Sequence, residues 1–172
     1  MSLFSYRNYL IPSYLFFLIP FGLVTGPFLP DLFLSLIALL FILESFKKNK
    51  FDYFRSKFSI IFFLFYFFLI ISSLLSNHVL FSLENSVLYI RYFFFAIGVY
   101  YLCANKPEII KTFFKFLFFT VLIVVVDGYI EFVFGKNILG KSSPDPSRIL
   151  SFFHAMIIGS YLSKVLPLMF IY

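Results

Sequence analysis

Ionised side chains are scarce in this chain of 172 residues: Asp, Glu, Lys and Arg make up 13% of it, and residues 8–30 and 58–83 contain none. A soluble domain covers its core with charged surface amounting to about a quarter of its residues. That shortage excludes a water-soluble globular protein of this length. Cysteine is equally scarce: the single Cys103 excludes a disulfide framework and a thiolate metal site. Absent, too, are a Gly-rich phosphate loop, a His-Glu-x-x-His helix and a Gly-x-Ser-x-Gly elbow. P-loop NTPases, zincin proteases and α/β-hydrolases are thereby excluded, and no metal or other cofactor is expected. Trp is missing while Phe, Ile and Tyr abound, a bias that matches an AT-rich genome.

What fills the chain is apolar: 62% hydrophobic and 24% aromatic residues. Runs such as Phe62-Phe63-Leu64-Phe65-Tyr66-Phe67-Phe68 are apolar on every face and lack the alternation of a barrel strand. In hydrocarbon every backbone N–H and C=O must be satisfied within the segment, which leaves the helix. The expectation is an all-α polytopic transmembrane helical bundle of about six spans, one membrane domain over residues 1–172. The spans fall near residues 9–25, 28–46, 58–75, 86–104, 110–134 and 151–172. Pro12 and Pro20 interrupt the first, and Gly26-Pro27 turns the chain into the second. A cleaved signal peptide is disfavoured, because small residues suited to cleavage are poorly placed after Arg7 and another span follows at once. Phe170-Ile171-Tyr172 ends the last apolar run without a polar tail, so the chain reads as the N-terminal half of a longer protein.

The net charge of +6 does not point to nucleic acid. Most of the cations flank apolar runs, with a dense group at Lys47, Lys48, Lys50, Arg55 and Lys57, as cytoplasmic loops require. Nine basic residues, Arg7 and this group among them, then lie inside. Lys136, Lys141 and Arg148 lie outside, and Arg91 and Lys164 lie within spans. The N-terminus is therefore expected in the cytoplasm, with Lys111 and Lys115 snorkelling to the inner interface. Three cations on the translocated side suit an anionic ligand, although a loop of that length also carries lysines by composition alone.

Charges inside spans are costly, at least about 2.5–3.5 kcal/mol each on insertion scales. Arg91 falls about 8 Å below the outer surface and Asp127 about 10 Å, with Glu131 one turn above it. Equal depth on consecutive spans predicts an ion pair of Arg91 with Asp127 and Glu131. Its role is either to lock two helices or to leave Arg91 facing an outward cavity as an anion binder. Lys164 is expected to snorkel or to meet Glu44, and Asp31 to cap a helix. His78 and His154 are read as solvated or interfacial.

Two stretches resemble the O-antigen ligase and O-antigen polymerase superfamily of bacterial inner-membrane glycan enzymes. The first is Ser82-Leu83-Glu84-Asn85-Ser86-Val87-Leu88-Tyr89-Ile90-Arg91-Tyr92, similar to the family's Arg-bearing span. The second runs from Asp127-Gly128-Tyr129-Ile130-Glu131 through Phe134-Gly135-Lys136-Asn137-Ile138-Leu139-Gly140 to Arg148-Ile149-Leu150-Ser151-Phe152-Phe153. It continues with Ile158-Gly159-Ser160-Tyr161-Leu162 and Pro167. His154-Ala155 stand where many relatives carry an acidic pair. The resemblance covers residues 82–168 and implies a metal-independent membrane ligase or glycosyltransferase of cell-surface polysaccharide assembly, lipopolysaccharide included. Such enzymes move a glycan from a polyprenyl pyrophosphate carrier to a lipid or glycan acceptor at the periplasmic face. It makes Arg148 the first candidate for the pyrophosphate and Arg91 the second, with membrane lipid and the lipid-linked glycan as partners. It implies further that this chain, as the N-terminal portion, is inactive by itself. A transporter or flippase, in which charged spans line a substrate path, is the alternative class; no internal repeat favours it.

Overall fold

In a computed structural model, residues 3–48, 51–145, 148–153 and 157–170 are described, and all regular structure among them is helical. The order is α1 (Leu3–Thr25), α2 (Phe28–Lys48), a short 3-10 turn (Phe51–Phe54), α3 (Lys57–Leu74) and α4 (Val79–Leu88). After these come α5 (Ile90–Asn105), α6 (Glu108–Phe134) and α7 (Ile158–Phe170). Four stretches are long and apolar enough to cross a membrane: Phe28–Lys47, Lys57–Leu74, Val79–Asn105 and Glu108–Phe134. The exposed surface is crowded with large apolar groups, such as Phe65, Phe67 and Phe68 on α3 and Phe132 and Phe134 on α6. A soluble protein does not display such a surface, so this is an all-α membrane protein.

The turn at Gly26, at φ 131°, separates α1 from α2 as expected. Pro12 and Pro20 do not interrupt α1, and Asp31, expected as a cap, is the fourth residue of α2, inside the first turn where the helix dipole favours an acid. Ser56 caps α3, its hydroxyl accepting the Ser59 N–H at 3.3 Å. Two further expectations are corrected. Residues 79–85, expected in an outside loop, are helical, and Tyr89 between α4 and α5 keeps helical angles (φ −62°, ψ −22°), so residues 79–105 form one long apolar stretch. The last apolar run does not become helical near residue 151: α7 begins at Ile158. Its 13 residues span about 20 Å, less than the hydrocarbon thickness of about 30 Å. His154 and Lys50 lie outside the described residues.

The chain divides into two compact units. The first comprises Met1–Phe16 and Phe33–Pro107, the second Phe17–Leu32 and Glu108–Tyr172.

In the first unit, Ile37, Ala38 and Phe41 of α2 are buried, as are Ile97, Tyr101 and Leu102 of α5. Gly98 lets the helices approach: a Cβ there would sit 3.1 Å from the Phe41 Cβ. Small residues at such crossings allow the close packing that holds membrane helices together where no hydrophobic drive exists. Around Phe93, 1% exposed, gather Phe62 and Phe63 with ring centroids at 4.9 Å, Phe54 at 6.1 Å and Phe58 at 6.3 Å. Across the α3–α4 hairpin the hydroxyls of Ser73 and Ser86 meet. Each also reaches the carbonyl four residues back on its own helix, at 2.9 and 2.8 Å, so neither hydroxyl faces hydrocarbon unsatisfied.

In the second unit, Val24, Val124 and Phe153 form one apolar cluster, and Leu117, Val121 and Val165 another. Phe17 stacks on Phe116 with ring centroids 5.6 Å apart.

Candidate functional site

The C-terminal half of α6 and the segment after it, described over residues 135–145 and 148–153, contain a dense group of buried polar side chains in the second unit. Asp127 and Ser151 are 0% exposed, and Asn137 and Glu131 are also buried. Spaced four apart, Asp127 and Glu131 share one face of α6 and look toward the segment that follows. Gly135 ends α6 in the left-handed region (φ 73°), its N–H donating to the Glu131 carbonyl at 2.8 Å. A tight turn over residues 137–140 then closes with the Gly140 N–H on the Asn137 carbonyl (2.8 Å), Gly140 lying at φ 77°.

The four buried polar groups knit this segment to the helix. Asp127 Oδ1 accepts the Ile138 N–H at 2.7 Å and Oδ2 accepts the Ser151 hydroxyl at 2.8 Å. Glu131 receives the Leu150 N–H at 2.9 Å and the Ser151 N–H at 2.5 Å, both on Oε2. Asn137 accepts the Lys141 N–H at 2.8 Å and donates to the Ser151 carbonyl at 2.7 Å. Ser151 has φ 53°, a left-handed bend of the kind that points successive N–H groups at one anion. Both carboxylates are thus held by backbone and hydroxyl donors, the condition under which a buried charge is tolerated.

Ser151 gives a direct check. Its left-handed backbone disfavours any residue with a Cβ by about 1 kcal/mol, while its hydroxyl bridges to Asp127. Ser151→Ala loses the hydroxyl and keeps the strain, whereas Ser151→Gly loses the hydroxyl and relieves the strain. Thermal unfolding in detergent should rank wild type above the glycine variant, and the glycine variant above the alanine variant. An alanine variant as stable as the glycine variant would mean the bend is not under strain.

Held this way, the segment presents Lys136, Lys141 and Arg148, all exposed. The Arg148 side chain is 64% exposed, and its Nε lies 3.7 Å from Asp145 Oδ2. Beside the segment is a cavity of about 250 Å³. Its walls are mainly apolar, from Phe21, Val24, Ile123, Val124, Leu139 and Phe152, and Lys141 brings a cation to its lining. The hydroxyls of Thr25 and Thr120, which also line it, are taken by the carbonyls of Gly22 (2.9 Å) and Phe116 (2.8 Å).

The expected site residues are therefore distributed as follows. Asp127, Glu131 and Arg148 belong to the second unit, the two acids beneath the segment that carries the arginine. Arg91 belongs to the first unit, half-buried in the first turn of α5, with its guanidinium carbon 5.3 Å from the Tyr92 ring centroid. Glu44 accepts the Tyr101 hydroxyl at 3.3 Å, while Lys164 is exposed on α7. Asn137 and Ser151, to which the sequence assigns no role, join the acids in this cluster. An Asn between two glycines is the signal in the sequence, since Asn side chains bond to nearby turn backbone. Among the described residues no group of three or more His, Cys, Asp or Glu side chains could hold a metal ion. Compared with protein-family models, curated proteins and solved structures, the chain matches none of them.

Proposed function

We propose that residues 135–153 bind the pyrophosphate of a polyprenyl-linked glycan, in an O-antigen ligase-like protein of the bacterial inner membrane. The observation that carries this reading is the apolar cavity with Lys141 in its wall, beside a segment that also bears Lys136 and Arg148. An isoprenoid chain needs apolar walls, and its pyrophosphate needs cations at their edge. The Arg148–Asp145 pair is exposed and worth about 0–1 kcal/mol, so a more highly charged pyrophosphate can displace the carboxylate. A guanidinium can grip two phosphate oxygens at once. As an acceptor hydroxyl oxygen bonds to the sugar carbon and gives up its proton to solvent, the bond from the sugar to the pyrophosphate oxygen breaks, and Arg148 and Lys141 would stabilise the charge that grows on the leaving pyrophosphate. The basic asymmetry of the sequence, with these three cations outside and the N-terminus in the cytoplasm, supports placing this face in the periplasm.

The test is binding to the purified chain in detergent, using a polyprenyl diphosphate and the corresponding free polyprenol. The diphosphate should bind more tightly. Arg148→Ala and Lys141→Ala should each weaken it by about tenfold or more, the value of a hydrogen bond to a charged group. Arg148→Lys should recover only part, because the planar fork is lost. Equal binding of polyprenol and diphosphate, or no effect of either alanine, would remove the pyrophosphate from this segment.

A further inference from the structure

At the opposite end of α6 lies an open groove of about 730 Å³, lined by Lys111, Phe114, Lys115, Phe118, Phe119 and Met169. We propose that this groove holds an acidic phospholipid, its phosphate on Lys111 and Lys115 and an acyl chain along the three phenylalanines.

Lys111, Phe114, Lys115 and Phe118 follow the 3–4 spacing of one helix face, so two cations sit above aromatic surface. Both lysines are exposed, and neither makes an ion pair with a carboxylate among the described residues. Glu108, one turn before Lys111, is exposed but does not line the groove. Lys111 also lies at the start of α6, where the helix dipole adds positive potential.

Length places the groove at headgroup level. From residue 116 to the end of α6 the helix rises about 28 Å, the thickness of the hydrocarbon core, which leaves Lys111 and Lys115 at its edge. Lys115 is also about 18 Å along the axis from Asp127, so the groove is separate from the polar cluster at the other end. Charge complementarity decides the occupant: a zwitterionic headgroup offers no net charge to two ammonium groups, whereas an anionic one does.

The experiment uses the full chain purified in detergent and given equimolar phosphatidylglycerol and phosphatidylcholine, with retained lipid counted by native mass spectrometry. The wild type should retain phosphatidylglycerol in preference. Lys111→Gln with Lys115→Gln should reduce that preference by on the order of tenfold, and Lys111→Arg with Lys115→Arg should keep it. Lys57→Gln, an exposed cation in the first unit, should also keep it, which separates a site from general attraction to positive charge. Both glutamines replace exposed lysines on a helix and leave folding intact, which circular dichroism checks. Unchanged retention in the double glutamine variant would overturn the proposal. So would equal retention of phosphatidylcholine, which would mark a purely apolar groove, or displacement of phosphatidylglycerol by millimolar inorganic phosphate, which would mark a free-phosphate site.

Discussion

Glu131→Ala should release residues 135–153 from α6 and expose them to protease. The carboxylate receives the N–H groups of Leu150 and Ser151, and both donors are buried. Removing it strands them at about 1–3 kcal/mol each, and the new methyl group offers no acceptor. The segment carries its own reporters, because trypsin can cut after Lys136, Lys141 and Arg148. Such cleavage requires local opening, whose population follows its free energy. Limited proteolysis of the detergent-solubilised chain should therefore accelerate at these three sites by at least about tenfold, with little change at Lys57. Glu131→Gln keeps one oxygen and should fall between wild type and alanine. Equal cleavage of wild type and alanine variant would mean that the carboxylate does not hold the segment.

Phe93→Ala should be the most damaging single truncation in the first unit. The rings of Phe54, Phe58, Phe62 and Phe63 pack on Phe93 from outside α5, two of them with centroids at 4.9 Å, and almost none of its surface is exposed. In a membrane the loss is chiefly of packing, since lipid tails are as apolar as the side chain removed. Truncations of this kind in well-packed cores cost about 3–5 kcal/mol. The thermal midpoint in detergent should fall sharply, whereas Phe67→Ala, whose ring lies on the exposed face of α3, should barely move it. Similar losses for both would indicate that the rings around Phe93 are not a packed centre.

Much of the fold was legible because membrane helices are decided locally. A run such as residues 58–74 is apolar all round, must satisfy its backbone internally, and is a helix whatever it packs against. The turn at Gly26 was legible for the same reason, since glycine opens left-handed and extended conformations to the backbone. The apolar character of residues 151–153 misled, because hydropathy carries no sign that their backbone donors are claimed elsewhere. Ser151 gives its N–H to Glu131 and its hydroxyl to Asp127, 20 and 24 residues away, and its left-handed φ cannot continue a helix. Charge invites the expectation of a cationic partner for Asp127 and Glu131. Their oxygens accept N–H and O–H groups of the segment beyond α6, and backbone donors are the same for every residue type. The sequence by itself thus determined that the chain is helical and meant for lipid, and which residues carry charge. Only the tertiary structure decided which donors the buried acids receive and which cations border a cavity, because those depend on atoms brought together across many residues by packing rather than by local preference.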